Sequence, residues 1–223
     1  MKRPIFGKLY QFSQYIPRMD FTIHQYLLAT EPSILLATGT VQQAERSLPE
    51  IEEILGGRPL DYIFVSHMES DEYGGIRIFL ERYPDAKVIC SRLASRELPG
   101  LGVECDCVAA DGDTVIEEGD ISLKTITYPC EVHLQDGIIA YEQNSGILYS
   151  SDLMQSPGDG RDTVEECGTF PERRASPPYA YRTRRDWKIP NGNSHPYPRG
   201  SWRWAMGSVS STQTLCEQLD DVL

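Results

Sequence analysis

Four side chains that can bind a metal ion crowd into one short stretch. Residues 60–80 read L-D-Y-I-F-V-S-H-M-E-S-D-E-Y-G-G-I-R-I-F-L and contain His67, Glu69, Asp71 and Glu72. One imidazole and three carboxylates on a single turn can aim at one point, which is the chemistry of half a metal site. The other use of such a turn is to cap a helix, with Ser70 or Asp71 as the N-cap. Two further acids and a histidine follow downstream. His133 stands three residues before Asp136, and Asp152 closes the apolar run 147–151. No catalytic group separate from these candidate ligands stands out.

These residues need strand ends to position them. Residues 62–65 are a short apolar run with the pattern of a buried strand, and Gly74-Gly75 opens a helical segment with Ile76, Ile78, Phe79 and Leu80. Upstream, residues 8–12 and 22–29 read as strands. Glu31-Pro32 turns the chain into a third strand over 33–37. His24 falls within one of these strands, where a buried or half-buried structural histidine is expected rather than a ligand. Residues 41–55 carry apolar side chains at helical spacing, and Gly56-Gly57 ends them. Downstream, 86–90 is a strand, 91–98 a short helix, and 103–108 and 121–127 are strands around a Gly/Asp-rich turn at 111–113. Strands over 138–141 and 147–151 are joined by Asn144-Ser145-Gly146. Strand–helix–strand implies a parallel crossover, and the mixture implies an α/β sandwich.

Composition narrows the function. The 223 residues suffice for one sizeable core. A net charge of −12 argues against a nucleic-acid or anionic-membrane partner. No apolar run approaches the roughly 20 residues of a membrane span. The amino terminus, M-K-R-P-I-F-G-K, lacks the apolar core of a signal peptide. The six cysteines include no C-x-x-C pair, and Cys105 and Cys107 would point the same way on a strand. They read as reduced thiols of a cytoplasmic protein.

An apolar strand ending in H-x-E-x-D before a small-residue helix start resembles the metallo-β-lactamase superfamily. Most of that superfamily carries H-x-H-x-D-H; the H-x-E-x-D form resembles its flavodiiron, oxygen-binding di-iron (ODP-like) branch. The similarity spans about residues 8–155. His133 and Asp136, just ahead of the 138–141 strand, match the branch's second ligand turn. Asp152 matches the aspartate that bridges two metals. A bridging carboxylate both spans and neutralises two cations held about 3.5–4 Å apart. The resemblance therefore implies an αββα sandwich of two mixed sheets, truncated at its C-terminal end. It implies a first metal on His67, Glu69 and His133, a second on Asp71 and Glu72, and Asp152 between them. Two iron ions are the expected cofactor, with zinc or manganese as alternatives. Glu72 departs from the family's histidine and makes the site richer in oxygen ligands, which favours iron or manganese over zinc. The third strand ends Ala37-Thr38-Gly39, without the acidic residue common there.

Three functions follow from this resemblance. One is a di-metal oxidoreductase that binds, reduces or senses dioxygen or nitric oxide. No flavodoxin or rubredoxin segment is present, so a flavodoxin- or rubredoxin-like protein would supply its electrons. A head-to-tail homodimer is the assembly the resemblance suggests. The second is a metal-dependent hydrolase of thioesters, phosphodiesters or lactams. The third is an inactive domain that lacks its last metal ligand, a histidine in a Gly-His-Gly turn near the end of the fold. Only His195 remains to fill that place, in the proline-flanked S-H-P-Y-P-R.

The texture changes near Cys167. Residues 1–166 read as the di-metal domain, and 167–223 as an irregular tail rich in Arg, Pro and Trp. Residues 168–203 contain one branched aliphatic residue, Ile189. The genetic code offers a reason. Codons built from the third base of each residue and the first two of the next, over Arg199 to Gly207, permit R-F-V-A-V-G-H-G. That is an apolar strand leading into the missing turn. The tail is therefore expected to be translated out of frame, mobile and poorly packed, leaving one sheet without its final strand.

Overall fold

A computed structural model describes residues 2–128, 135–154, 158–160 and 203–205. Strands β1 (Lys2–Phe6), β2 (Leu9–Ile16), β3 (Phe21–Leu28) and β4 (Ile34–Leu36) pair antiparallel in chain order. After β4 the connections become helical and the pairing parallel. Helix α1 (Val41–Leu55) leads to β5 (Tyr62–Phe64). Helices α2 (Ser70–Tyr73) and α3 (Ile76–Arg82) lead to β6 (Lys87–Ser91). Helix α4 (Ala94–Glu97) and a 3-10 turn lead to β7 (Cys107–Ala110). These seven strands form one sheet in sequence order. Strands β8 (Val115–Glu118), β9 (Ile121–Thr127), β10 (Ile138–Glu142) and β11 (Ile147–Tyr149) form an antiparallel meander, and β12 (Arg203–Ala205) lies parallel to β11 at its edge.

The helix α1 begins and ends where local chemistry dictates. Thr40 and Gln43 close a reciprocal capping box, and Gly56 takes φ 60° in the left-handed region after the last turn. Ala44, Ile51 and Leu55 face inward, with Leu27, Leu35, Ile63 and Phe79, in a core between the helices and the seven-stranded sheet. A second apolar core lies between the sheets, where Tyr26, Leu36 and Phe64 meet Leu123, Ala140 and Tyr149. The central strands β4 and β5 are thus buried and apolar on both faces. This is the two-sheet α/β sandwich expected, with helices over one sheet among the described residues.

Three elements differ from the sequence reading. β1 is not anticipated by the sequence; its Pro4 suits an edge strand. The strand expected over 103–108 begins at Cys107, and β8, with Glu117 and Glu118, adds an exposed edge where no strand was expected. The five-stranded sheet does not lack a final strand among the described residues, because β12 fills that edge. Most of 167–223, including His195, lies outside the described residues. Cys90, Cys105 and Cys107 are free thiols, as expected. Cys105 and Cys107 point the same way, with Sγ atoms 3.4 Å apart.

Candidate metal centre

The site forms where β5 and β11 end at the same edge of the two-sheet stack. Beyond β5 the chain stops pairing, and His67 turns into the interior with 1% of its surface exposed. Its Nε2 lies 3.5 Å from Asp152 Oδ2 and 3.6 Å from Glu69 Oε2. The ligand atoms of His67, Glu69 and Asp152 lie within 4.8 Å of one another. Metal–ligand bonds of about 2.0–2.2 Å place neighbouring ligand atoms roughly 3–3.5 Å apart, so one ion fits between them. Glu69 is the N-cap residue of α2 but caps nothing with its side chain, so neither Ser70 nor Asp71 holds the N-cap position.

Glu72 lies one helical turn further on and is 4% exposed. Its Oε1 accepts hydrogen bonds from Tyr149 Oη at 2.7 Å and Ser151 Oγ at 2.9 Å. Its Oε2 is buried with no hydrogen-bond partner among the described residues. One oxygen is clamped and the other could take a cation, as when an outer hydrogen bond orients a metal-binding carboxylate. Ser151 itself holds φ 48°, a strained conformation for serine that turns its hydroxyl and the following Asp152 inward.

The electrostatics call for positive charge. Burial pushes the Glu72 carboxyl up to about 7, and Asp152 and Asp71 push it the same way against the pull of His67. Burial also raises Asp71, followed by the charge of Asp152. Burial alone would lower His67, but Glu72, Asp152, Glu69 and Asp71 outweigh it and raise the imidazole. Burial and the adjacent Glu72 hold the Tyr149 phenol well above its ordinary value. Four carboxylates around one buried imidazole, with Glu72 and Asp152 themselves buried, repel one another unless cations share the space.

The backbone brings two further segments to this point. Thr38, after β4, donates through both its N–H (2.7 Å) and its hydroxyl (3.0 Å) to the Glu72 carbonyl. Gly75 donates to Gly39 O, and a Cβ there would meet Ala44 Cβ at 2.3 Å, so only glycine lets α3 start against α1. On the other side, Met68 N–H donates to Asp136 Oδ2 at 2.8 Å, and Ser66 exchanges hydrogen bonds with Ile138 through N–H···O and O–H···O contacts. The Tyr128 ring stands edge-on to His67 at 6.3 Å. His133 and the rest of 129–134 lie outside the described residues. Asp71 shares the helical turn with Glu72 and is felt electrostatically, but it is not part of the tight three-residue group. His24 is a buried β3 residue whose Nδ1 meets Ser13 Oγ at 2.7 Å and Gln11 Nε2 at 2.9 Å, as expected of a structural histidine.

Sequence reading missed Tyr149, Ser151 and the anchoring role of Ser66. Alternation along 147–151 carried part of the signal, since it puts Tyr149 and Ser151 on the inward face with Ile147. Their meeting with Glu72 had no local signal.

Stacked sheets with a histidine–carboxylate group at their strand ends define a metallo-β-lactamase-like metal-binding fold. The chain belongs to the family described as ODP family beta lactamase, whose model matches residues 21–171. A hydroxyacylglutathione hydrolase of Synechococcus is 33% identical over 136 residues, covering 61% of this chain and 50% of that one. A nitric oxide reductase of Moorella thermoacetica is 26% identical over 133 residues, covering 59% and 33%. The flavodiiron protein of Giardia intestinalis superposes with a TM-score of 0.65 at 17% identity, over 75% of this chain and 44% of that one. The chain thus spans half or less of the length of these relatives. Among the described residues, no helix is long and apolar enough to cross a membrane.

Proposed function

We propose that the chain is a di-metal protein that binds or reduces dioxygen or nitric oxide, or senses oxygen, with iron as its metal. His67, Glu69 and His133 would hold one ion, Asp71 and Glu72 the other, and Asp152 would bridge. When bound, two iron ions would carry the electrons and supply the binding positions for the small gas. The protein's own residues exclude water and fix ligand direction. His67 is buried, Tyr149 and Ser151 orient Glu72, and Asp136 holds the backbone that carries Met68 and Glu69. The reading rests on Glu69, a carboxylate facing His67 Nε2 at 3.6 Å where most of the superfamily has a second imidazole. An oxygen-rich ligand set favours iron over zinc. Electrons would come from a flavodoxin- or rubredoxin-like partner in the cytoplasm, and a homodimer would be the working assembly.

The similarity to a hydroxyacylglutathione hydrolase supports a second reading, a metal-dependent thioesterase with the same residues around zinc. Metal analysis of anaerobically purified protein separates the two, with absorption spectra before and after oxygen. Two equivalents of iron and an oxygen-sensitive spectrum are expected. Two of zinc with thioester cleavage would establish the hydrolase, and a chain that takes up no metal is an inactive domain.

A further inference from the structure

Cys105 and Cys107 take no part in the metal centre. Cys107 opens β7, the edge strand of the seven-stranded sheet, and Cys105 stands two residues before it. Both thiols are half-buried against the core beneath the helices, and their Sγ atoms are 3.4 Å apart. Cys90 lies buried on the neighbouring strand β6. Burial, and then the hydrogen bond to Cys107, push the Cys105 thiol up to about 12. Burial and the same neighbour also raise Cys90. Cys105 and Cys90 are therefore neutral thiols at neutral pH.

Two properties decide what such a pair can hold. The first is spacing. A pyramidal centre with bonds to sulfur of about 2.3 Å and angles of about 95° needs its sulfurs roughly 3.4 Å apart, whereas a tetrahedral ion needs about 3.8 Å and a linear one about 4.6 Å. The second is charge. A divalent cation binds thiolates, so each bond must displace a proton that burial makes hard to lose. A trivalent arsenic hydroxide needs no thiolate in the balance. Each S–H proton leaves with an arsenic-bound hydroxide as water, and an As–S bond replaces As–O.

We propose that Cys105 and Cys107 form a dithiol binding site for a monosubstituted organic arsenic(III) dihydroxide. Two As–S bonds form, two As–O and two S–H bonds break, two waters leave, and arsenic stays trivalent. The third thiol stays out of the site. Among the described residues the tight groups of three possible ligands include His67, Glu69 and Asp152 but not the three cysteines. The arsenic therefore keeps its organic substituent on the third bond, which suits a pair that is not fully enclosed. The site is separate from the metal centre and does not depend on the function proposed there.

The probe is phenylarsonous acid, titrated into the full chain kept reduced and free of oxygen, and followed by native mass spectrometry. One adduct per chain is expected, heavier by a phenylarsenic group less two hydrogens. Cys105→Ser and Cys107→Ser should each weaken it at least about 100-fold, because the second As–S bond closes at the effective concentration the chain sets. Both are near-isosteric changes at half-buried positions, and circular dichroism should show the fold intact. Affinity should stay flat from about pH 6 to 8, since no proton is released; a rise of about tenfold or more per unit would overturn the neutral exchange. No adduct up to about 1 mM probe would overturn the proposal. So would an adduct that survives in the double serine variant, since it would sit on other cysteines. Inorganic arsenite bound as tightly as the phenyl compound would show a third thiol bond and overturn the two-thiol site.

Discussion

The Tyr149 hydroxyl donates to Glu72 Oε1 at 2.7 Å across 77 residues of sequence, joining the end of the second sheet to the first turn of α2. This bond aims a buried carboxylate whose other oxygen has no partner among the described residues. Tyr149→Phe removes the donor and keeps the ring packed between Tyr26 and Phe64. One of the two metals should then bind about 10–100-fold more weakly while the fold melts nearly unchanged. Metal stoichiometry against free-metal concentration reads this out, and two equally tight metals in the variant would show that Glu72 is not a ligand.

Glu69→His replaces a carboxylate with an imidazole and removes one negative charge beside His67. Zinc occupancy should rise at the expense of iron in preparations grown with both metals. Unchanged metal ratios would count against Glu69 as a ligand.

In the proposed centre Asp152 would bridge the two ions. Asp152→Ala should lower total metal content toward zero rather than by half, measured by elemental analysis. Full retention of metal would reduce Asp152 to a structural residue after β11.

His24 sets a pH dependence of stability that is independent of metal. Burial lowers its imidazole to about 4 from 6.5. Because the folded value is depressed, the unfolded chain binds the proton first as pH falls. The stabilisation from keeping His24 neutral is complete above about 6.5 and is lost as pH falls toward 4, to a limit of about 3 kcal/mol. His24→Asn should flatten the loss of urea midpoint between pH 6.5 and 4. An identical pH profile would show that another group carries the dependence.

The tail beyond residue 166 is expected to be an out-of-frame translation. β12 pairs Ala205 opposite Tyr149, beside the strand end that carries Ser151 and Asp152. The alternative frame puts its Gly-His-Gly turn at that same stretch, so its histidine would arrive next to the cluster. Resequencing the gene should reveal a shifted frame, and restoring it should strengthen the second metal. An unbroken frame whose product resists proteolysis beyond residue 167 would sink the idea.

What the sequence determined by itself was what short-range forces decide. The 62–65 strand, the boundaries of α1 and the turn carrying His67 and Glu69 were all legible, because periodicity, capping residues and glycine punctuation act within a few residues. The family also followed from that turn, since its ligand types and spacing are contiguous. Tertiary structure alone decided which carboxylates converge. His67, Glu69 and Asp152 form the tight group, while Glu72 is drawn toward Tyr149 and Ser151. It also assigned Asp136 to a backbone N–H. These outcomes depend on the register and stacking of two sheets, which bring together side chains far apart in sequence that no local pattern relates.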